Sequence, residues 1–244
     1  MNARYVLKAS PWELGEHFDL AITDNLPPRF NIAPSQPVSV IVGEAGGRRY
    51  EILRWGFVPA WDRKGTFIKK PVVNIRSETA HEKPMFRNAF RRRHCLFPMN
   101  GFYEWREEAG RKQPYLLTRG EDMPLFALAG LYEDWMGEDG SELRTAAFLT
   151  RAAGPDTAAI HDRQPLLVAP QDYGAWLHAD ETDLNAAFDI IGRPAAKFMF
   201  WAVDRKVGSW KAEGETLIRP SASGELSHPG APKPEGGPSQ ETLL

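Results

Sequence analysis

Residues 94–131 read HCLFPMNGFYEWREEAGRKQPYLLTRGEDMPLFALAGL. Four apolar or aromatic runs lie in it: His94–Met99, Phe102–Arg106, Tyr115–Thr118 and Leu125–Leu131. Each is too short for a stable helix, and Gly101 and Gly110 supply turn positions between successive runs, so they read as strands. A fifth run, Thr145–Thr150, follows the turn at Gly137-Glu138-Asp139-Gly140. Many short strands with few helices imply an α+β fold, with a mostly antiparallel, barrel-like β-sheet core and flanking helices.

Working outward, MNARYVLK (1–8) reads as a short strand, and Ser10-Pro11 as the N-cap and first residue of a helix carrying Trp12, Leu14 and Phe18. Asn31-Ile32-Ala33-Pro34 reads as a turn into the strand Val38–Val42, which Gly46-Gly47 returns through Tyr50–Phe57. A short strand is expected over Val72–Ile75. Pro84 fits the first turn of a helix with Met85, Phe86, Ala89 and Phe90 on one face and Arg87 and Arg91 on another. C-terminal to the quoted stretch, Ile160–Pro165 is a polar loop before a strand Leu166–Ala169, and Pro170 opens a helix through Trp176. A helix Thr182–Ile191 and strands at Phe198–Val203 and Leu217-Ile218 follow. The domain is expected to span 1–220. The remainder, SASGELSHPGAPKPEGGPSQETLL (221–244), cannot bury a core and is expected to be disordered.

The 244 residues are 42% hydrophobic and 25% charged, as in an ordinary soluble globular protein. No apolar run is long enough to span a membrane, and the N-terminus lacks a secretory signal, so a cytoplasmic location is expected. One cysteine, Cys95, excludes an internal disulfide and a cysteine-based zinc cluster. Charge is unevenly spread. Between Trp61 and Arg93 ten Lys/Arg face three acids, an excess of +7 in a chain of net charge −2. Such a local excess, with aromatics beside it, is the electrostatic footprint for a polyanion. Against it stands the plainer reading of a solvated basic face.

Eight ordered motifs carry a resemblance. They are Arg4-Tyr5, Asn31–Pro34, Arg54-Trp55-Gly56-Phe57-Val58-Pro59, Asn74-Ile75-Arg76-Ser77-Glu78-Thr79, Gly101–Trp105, Lys112–Tyr115, Phe126–Leu131 and Ile160-His161-Asp162-Arg163-Gln164-Pro165. Together they resemble the SOS-response-associated peptidase family of abasic-site processing proteins over roughly 1–220. The resemblance implies recognition of abasic sites in single-stranded DNA, without metal or organic cofactor, by a protein expected to be monomeric. It further implies a position-2 cysteine whose amine and thiol close a thiazolidine on the sugar aldehyde, an amine trapping the carbonyl and a thiolate the imine. Asn74 then corresponds to the sugar-positioning asparagine, Glu104 to the acid/base carboxylate, and His161 to the histidine that assists ring opening. Arg4 and Arg76 correspond to phosphate contacts and Trp61 to a stacking aromatic, and Met85, Phe86 and Arg163 are placed with the DNA contacts.

The chain departs from that pattern at the nucleophile: position 2 is Asn and position 3 Ala. Asn2 offers no thiol, so the crosslink is not available as written. Non-covalent binding, or a Schiff base formed by a terminal amine and followed by β-elimination, is expected instead. At a reference pKa of ~7.7–8.0 such an amine keeps a neutral fraction at pH 7. A competing reading is a hydrolase using Cys95 or Ser77 with His161 as base, although neither lies in a nucleophile motif. Cys95, inside an apolar strand, reads better as a small core residue.

Overall fold

The computed structural model describes residues 4–180, 182–226, 228–229 and 231–232. Its strands are β1 (Tyr5–Leu7), β2 (Arg29–Ile32), β3 (Pro37–Glu44), β4 (Gly47–Trp55), β5 (Asn74–Arg76), β6 (His94–Met99), β7 (Gly101–Glu108), β8 (Arg111–Thr118), β9 (Phe126–Met136), β10 (Glu142–Ala152), β11 (Arg163–Pro165), β12 (Leu167–Val168) and β13 (Met199–Ala202). Strands β10, β4, β3, β6 and β9 close into a five-stranded barrel, because β10 pairs with both β4 and β9. Only the β4–β10 contact in that ring is parallel. Closure leaves no barrel edge to template aggregation. A second, antiparallel sheet runs β13-β8-β7-β1-β2. The expected α+β fold with a barrel-like core is therefore present.

Helices are short: α1 (Pro11–Phe18), α2 (Thr66–Lys69), α3 (Arg87–Arg92), α4 (Pro155–Ala158), α5 (Tyr173–Leu177) and α6 (Asn185–Gly192). Helix α1 begins as its sequence implies. Glu13 N–H donates to Ser10 Oγ at 3.2 Å and Ser10 N–H to Glu13 Oε2 at 2.7 Å, a reciprocal capping box. Other boundaries move. Pro84 stands in a turn before α3. Helix α6 starts after Asp183, whose side chain accepts from Asn185 N–H at 2.9 Å. Leu217-Ile218, expected as a strand, belongs to a 3₁₀ turn over Glu215–Ile218; a two-residue apolar signal does not separate the two. The run at Leu166–Ala169 pairs as a strand only at Leu167–Val168.

Trp55, Tyr5, Phe97 and Phe148 form the centre of the core. Tyr5 meets Trp55 edge-on with centroids 5.2 Å apart. The described residues of the expected tail lie along the β8–β13 edge. Ser221 N–H donates to Ala202 O at 2.8 Å, Glu225 N–H to Glu108 Oε2 at 3.1 Å and Leu226 N–H to the Tyr115 hydroxyl at 3.1 Å.

Candidate functional site

The C-terminal half of β10 organises the site. Over Glu142–Phe148 it pairs with β9, but beyond that β11 takes over this edge, with Ala152 opposite Arg163. On the other edge β5 succeeds β4, aligning Asn74 with Phe148 and Arg76 with Thr150. Two polar motifs distant in sequence are thereby set on either side of one strand. Arg163 fastens them. Its guanidinium donates to both Glu78 carboxylate oxygens at 2.6 and 2.9 Å and to Thr150 O at 2.6 Å. The bidentate pair holds the Glu78 carboxyl below its usual pKa. Arg163, expected as a DNA contact, thus ties the 3₁₀ turn after β5 to β10 and β11.

Asn74 is half-buried, and its Oδ1 is buried without a hydrogen-bond partner among the described residues. Buried polar atoms are nearly always satisfied, so an orphan acceptor on a half-buried side chain leaves a place for a ligand donor. Arg76, two residues on, is exposed. His161 is half-buried, at 21% side-chain exposure, and burial lowers its pKa despite the opposing Asp162. Its Nδ1 accepts from Arg163 N–H at 2.9 Å, which leaves the proton of the neutral ring on Nε2. Asp162 Oδ1 also lies 2.8 Å from Nδ1, a contact that is attractive only when Nδ1 carries a hydrogen. With Asp162 86% exposed, the backbone bond decides the tautomer.

Glu104 stands on β7 in the second sheet and is 1% exposed. β1 and β7 run antiparallel, so the start of β1 lies beside it: Tyr103 N–H donates to Arg4 O at 2.9 Å. Asn2 and Ala3 lie outside the described residues. Arg4 itself is no free phosphate contact. Its Nη1 donates to Asn31 Oδ1 and Val207 O, both at 2.9 Å, and its Nη2 to Gly208 O at 3.1 Å. Asn31, buried at 1%, also donates to Ser209 O and Ala212 O at 2.9 Å. The sequence reading missed this clamp; the pairing of a buried Asn with a distant Gly-containing loop leaves no local signal.

Trp61 is 59% exposed and meets Phe67 edge-on, in a position to stack on a flat ligand. Phe86 is not. It is buried against Phe57 with ring centroids 5.4 Å apart, so its expected DNA contact is replaced by a core role, while Met85 beside it is only half-buried. Beyond Trp61, Arg63, Lys64 and Lys69 line an open cleft of ≈ 410 Å³ with Trp135 and Glu138. Asp62 underneath is buried and accepts from Phe67 N–H at 2.6 Å, which spends that carboxylate on the loop's own backbone.

Neither hydrolase nucleophile is armed. Cys95 is fully buried, and desolvation raises its thiol pKa well above the usual value, so no thiolate forms at neutral pH. Ser77 Oγ is buried and makes no hydrogen bond to a base among the described residues. Among the described residues, no group of three or more His, Cys, Asp or Glu is placed to hold a metal.

A family model described as SOS response associated peptidase (SRAP) matches residues 1–210. The abasic site processing protein YoqW of Bacillus subtilis is 34% identical over 156 residues, 64% of this chain and 69% of that one. The abasic site processing protein YedK of Escherichia coli is 30% identical over 196 residues, 79% and 84% of the two chains. Among solved structures, a Bacteroides thetaiotaomicron protein covers 89% of this chain and 99% of its own, with a TM-score of 0.78 at 20% identity. A Bordetella bronchiseptica protein covers 83% and 99%, with a TM-score of 0.71 at 26% identity.

Proposed function

This chain belongs to the SOS response associated peptidase (SRAP) family, and we propose that it recognises abasic sites in single-stranded DNA without the family's thiol chemistry. The observation that carries the reading is the orphan Asn74 Oδ1, an unmet acceptor suited to a sugar hydroxyl, two residues from the exposed Arg76 on β5; His161, whose pKa burial lowers, stands just before β11 across β10. Asn74 Oδ1 accepts from a sugar hydroxyl. His161 Nε2–H donates to the ring oxygen as the hemiacetal opens, and Glu104, on β7, takes or returns a proton. Trp61 supplies a stacking surface for a flanking base, worth ~1–3 kcal/mol without sequence preference. Because position 2 is Asn, recognition ends in a non-covalent complex, or in an imine with a protein amine that eliminates the strand and releases it.

The test incubates the protein and an Asn2→Cys variant with abasic and intact oligonucleotides, with and without borohydride, on denaturing gels. A stable adduct formed only by Asn2→Cys supports an intact pocket that lacks its nucleophile. A borohydride-dependent adduct of the natural protein assigns it imine chemistry. If neither protein forms an adduct and binding ignores the lesion, the proposal is wrong.

A further inference from the structure

The three acids of the basic stretch are all occupied within the protein or beside it. Asp62 caps the loop, Glu78 is held by Arg163, and Glu82 lies 3.3 Å from His81 Nε2. Of the cations, Arg93 is spent on Glu133 at 2.6 Å. Lys83, Arg87 and Arg91 are different. All three are exposed, and none has a side-chain hydrogen bond or ion pair among the described residues. Arg87 N–H donates to Lys83 O at 2.9 Å, a helical bond that continues into α3, so the three follow one another a turn apart. Arg87 and Arg91 stand about 6 Å apart along α3, and Lys83 extends the ridge from the turn before it. Its inner side is anchored by buried Phe86, Ala89 and Phe90 against the barrel. The ridge begins seven residues after Arg76 on the same stretch of chain.

We propose that Lys83, Arg87 and Arg91 form a phosphate track for the DNA strand leading away from the site, reading charge spacing and no bases. The inference rests on the proposed function for its ligand and adds a contact surface outside the pocket. DNA is favoured over an acidic peptide because the cations recur every four residues, from the turn at Lys83 into α3, as phosphates repeat along a strand at a fixed interval. No apolar groove accompanies them to seat peptide side chains; the neighbouring phenylalanines are buried. Contacts of this kind position a strand and set affinity while contributing nothing to lesion choice.

The experiment compares the full chain with a Lys83→Gln/Arg87→Gln/Arg91→Gln variant. The control is Arg111→Gln/Lys112→Gln/Lys197→Gln, which removes the same charge from exposed positions elsewhere. Kd is measured against salt for abasic and intact strands of about 25 nucleotides and of about 5, long and short beside the site sizes usual for single-strand binders. Three lost phosphate contacts lower the slope of log K against log salt by about 2, equivalent to roughly 20-fold less affinity lost over a fourfold rise in salt. The drop is expected on the long strands only, with the abasic-to-intact ratio unchanged. An unaltered slope overturns the track, and so does an equal drop in the control, which would reduce the effect to net charge. Should the natural protein bind abasic and intact strands alike, the functional reading fails, while the slope difference between ridge variant and control still decides the track.

Discussion

Replacing Asn31 with Ala tests whether the Asn-Ile-Ala-Pro motif works through structure. The side chain is 1% exposed and makes four hydrogen bonds. It accepts from the Arg4 guanidinium at 2.9 Å and donates to Ser209 O and Ala212 O at 2.9 Å and to Val207 O at 3.3 Å. The two strong neutral bonds are worth about 1 kcal/mol each and the charge-assisted one about 1.5–3. The carbonyls of the exposed loop regain water in the variant, whereas Arg4 loses an acceptor in a half-buried position. A net loss of about 3 kcal/mol of folding stability is expected, read by urea unfolding with the m-value unchanged. An Arg4→Met variant combined with it closes a double-mutant cycle, and the shared bond predicts a coupling of about 1–2 kcal/mol. A loss below about 1 kcal/mol, or strict additivity, would refute the clamp and return Arg4 to the role of a phosphate contact.

Burial holds the His94 pKa down at about 4, against 6.5 for an open imidazole. The unfolded chain therefore takes up a proton below pH 6.5 that the native state refuses until about pH 4, so stability falls as pH drops through that window. Between pH 7 and pH 5 the natural protein should lose about 2 kcal/mol more than a His94→Gln variant; equal losses in parallel unfolding curves would show that the buried imidazole is not responsible. Cys95 should resist a thiol reagent in the native protein and react only as the chain unfolds, while Cys95→Ala leaves abasic-DNA binding intact. Rapid native labelling, or binding lost with the thiol, would reopen the cysteine-nucleophile reading.

How far the sequence foretold the molecule depends on the range of the interaction. Turn glycines and short apolar runs are local, and the strands at His94–Met99 and Thr145–Thr150 appear where these signals placed them. The exchange of partners along β10 is not local. Asn74 meets Phe148 across a parallel register, and no pattern within either segment announces it. Phe86 shows two signals in conflict. Its spacing with Ala89 and Phe90 marked a buried face, while the motif resemblance drew it toward the DNA, and the spacing describes its position against Phe57. Arg4 and Arg163 were recognisable as special, but an arginine fork suits a carbonyl or carboxylate of the protein as well as a phosphate. Burial and partner geometry decide between these uses, and both arise only on folding.

The clamp also bears on the proposed Asn2→Cys test. Arg4 stands two residues from position 2, and its guanidinium is fixed by Asn31 and by two carbonyls of the 207–208 turn. None of those bonds uses a side chain at position 2 or 3. The clamp and the β10 residues thus have separate means of support: Arg4 is held from β2 and the 207–208 turn, while Asn74 and His161 are held from β10 through β5 and Arg163; only Glu104, on β7 beside Arg4, shares the first support. An exchange at position 2 can then add a thiol without loosening either arrangement. That independence is the physical reason to expect Asn2→Cys to restore chemistry in one step; if instead the chain end had to be rebuilt along with the thiol, the single substitution would leave the protein as inert toward the aldehyde as it began.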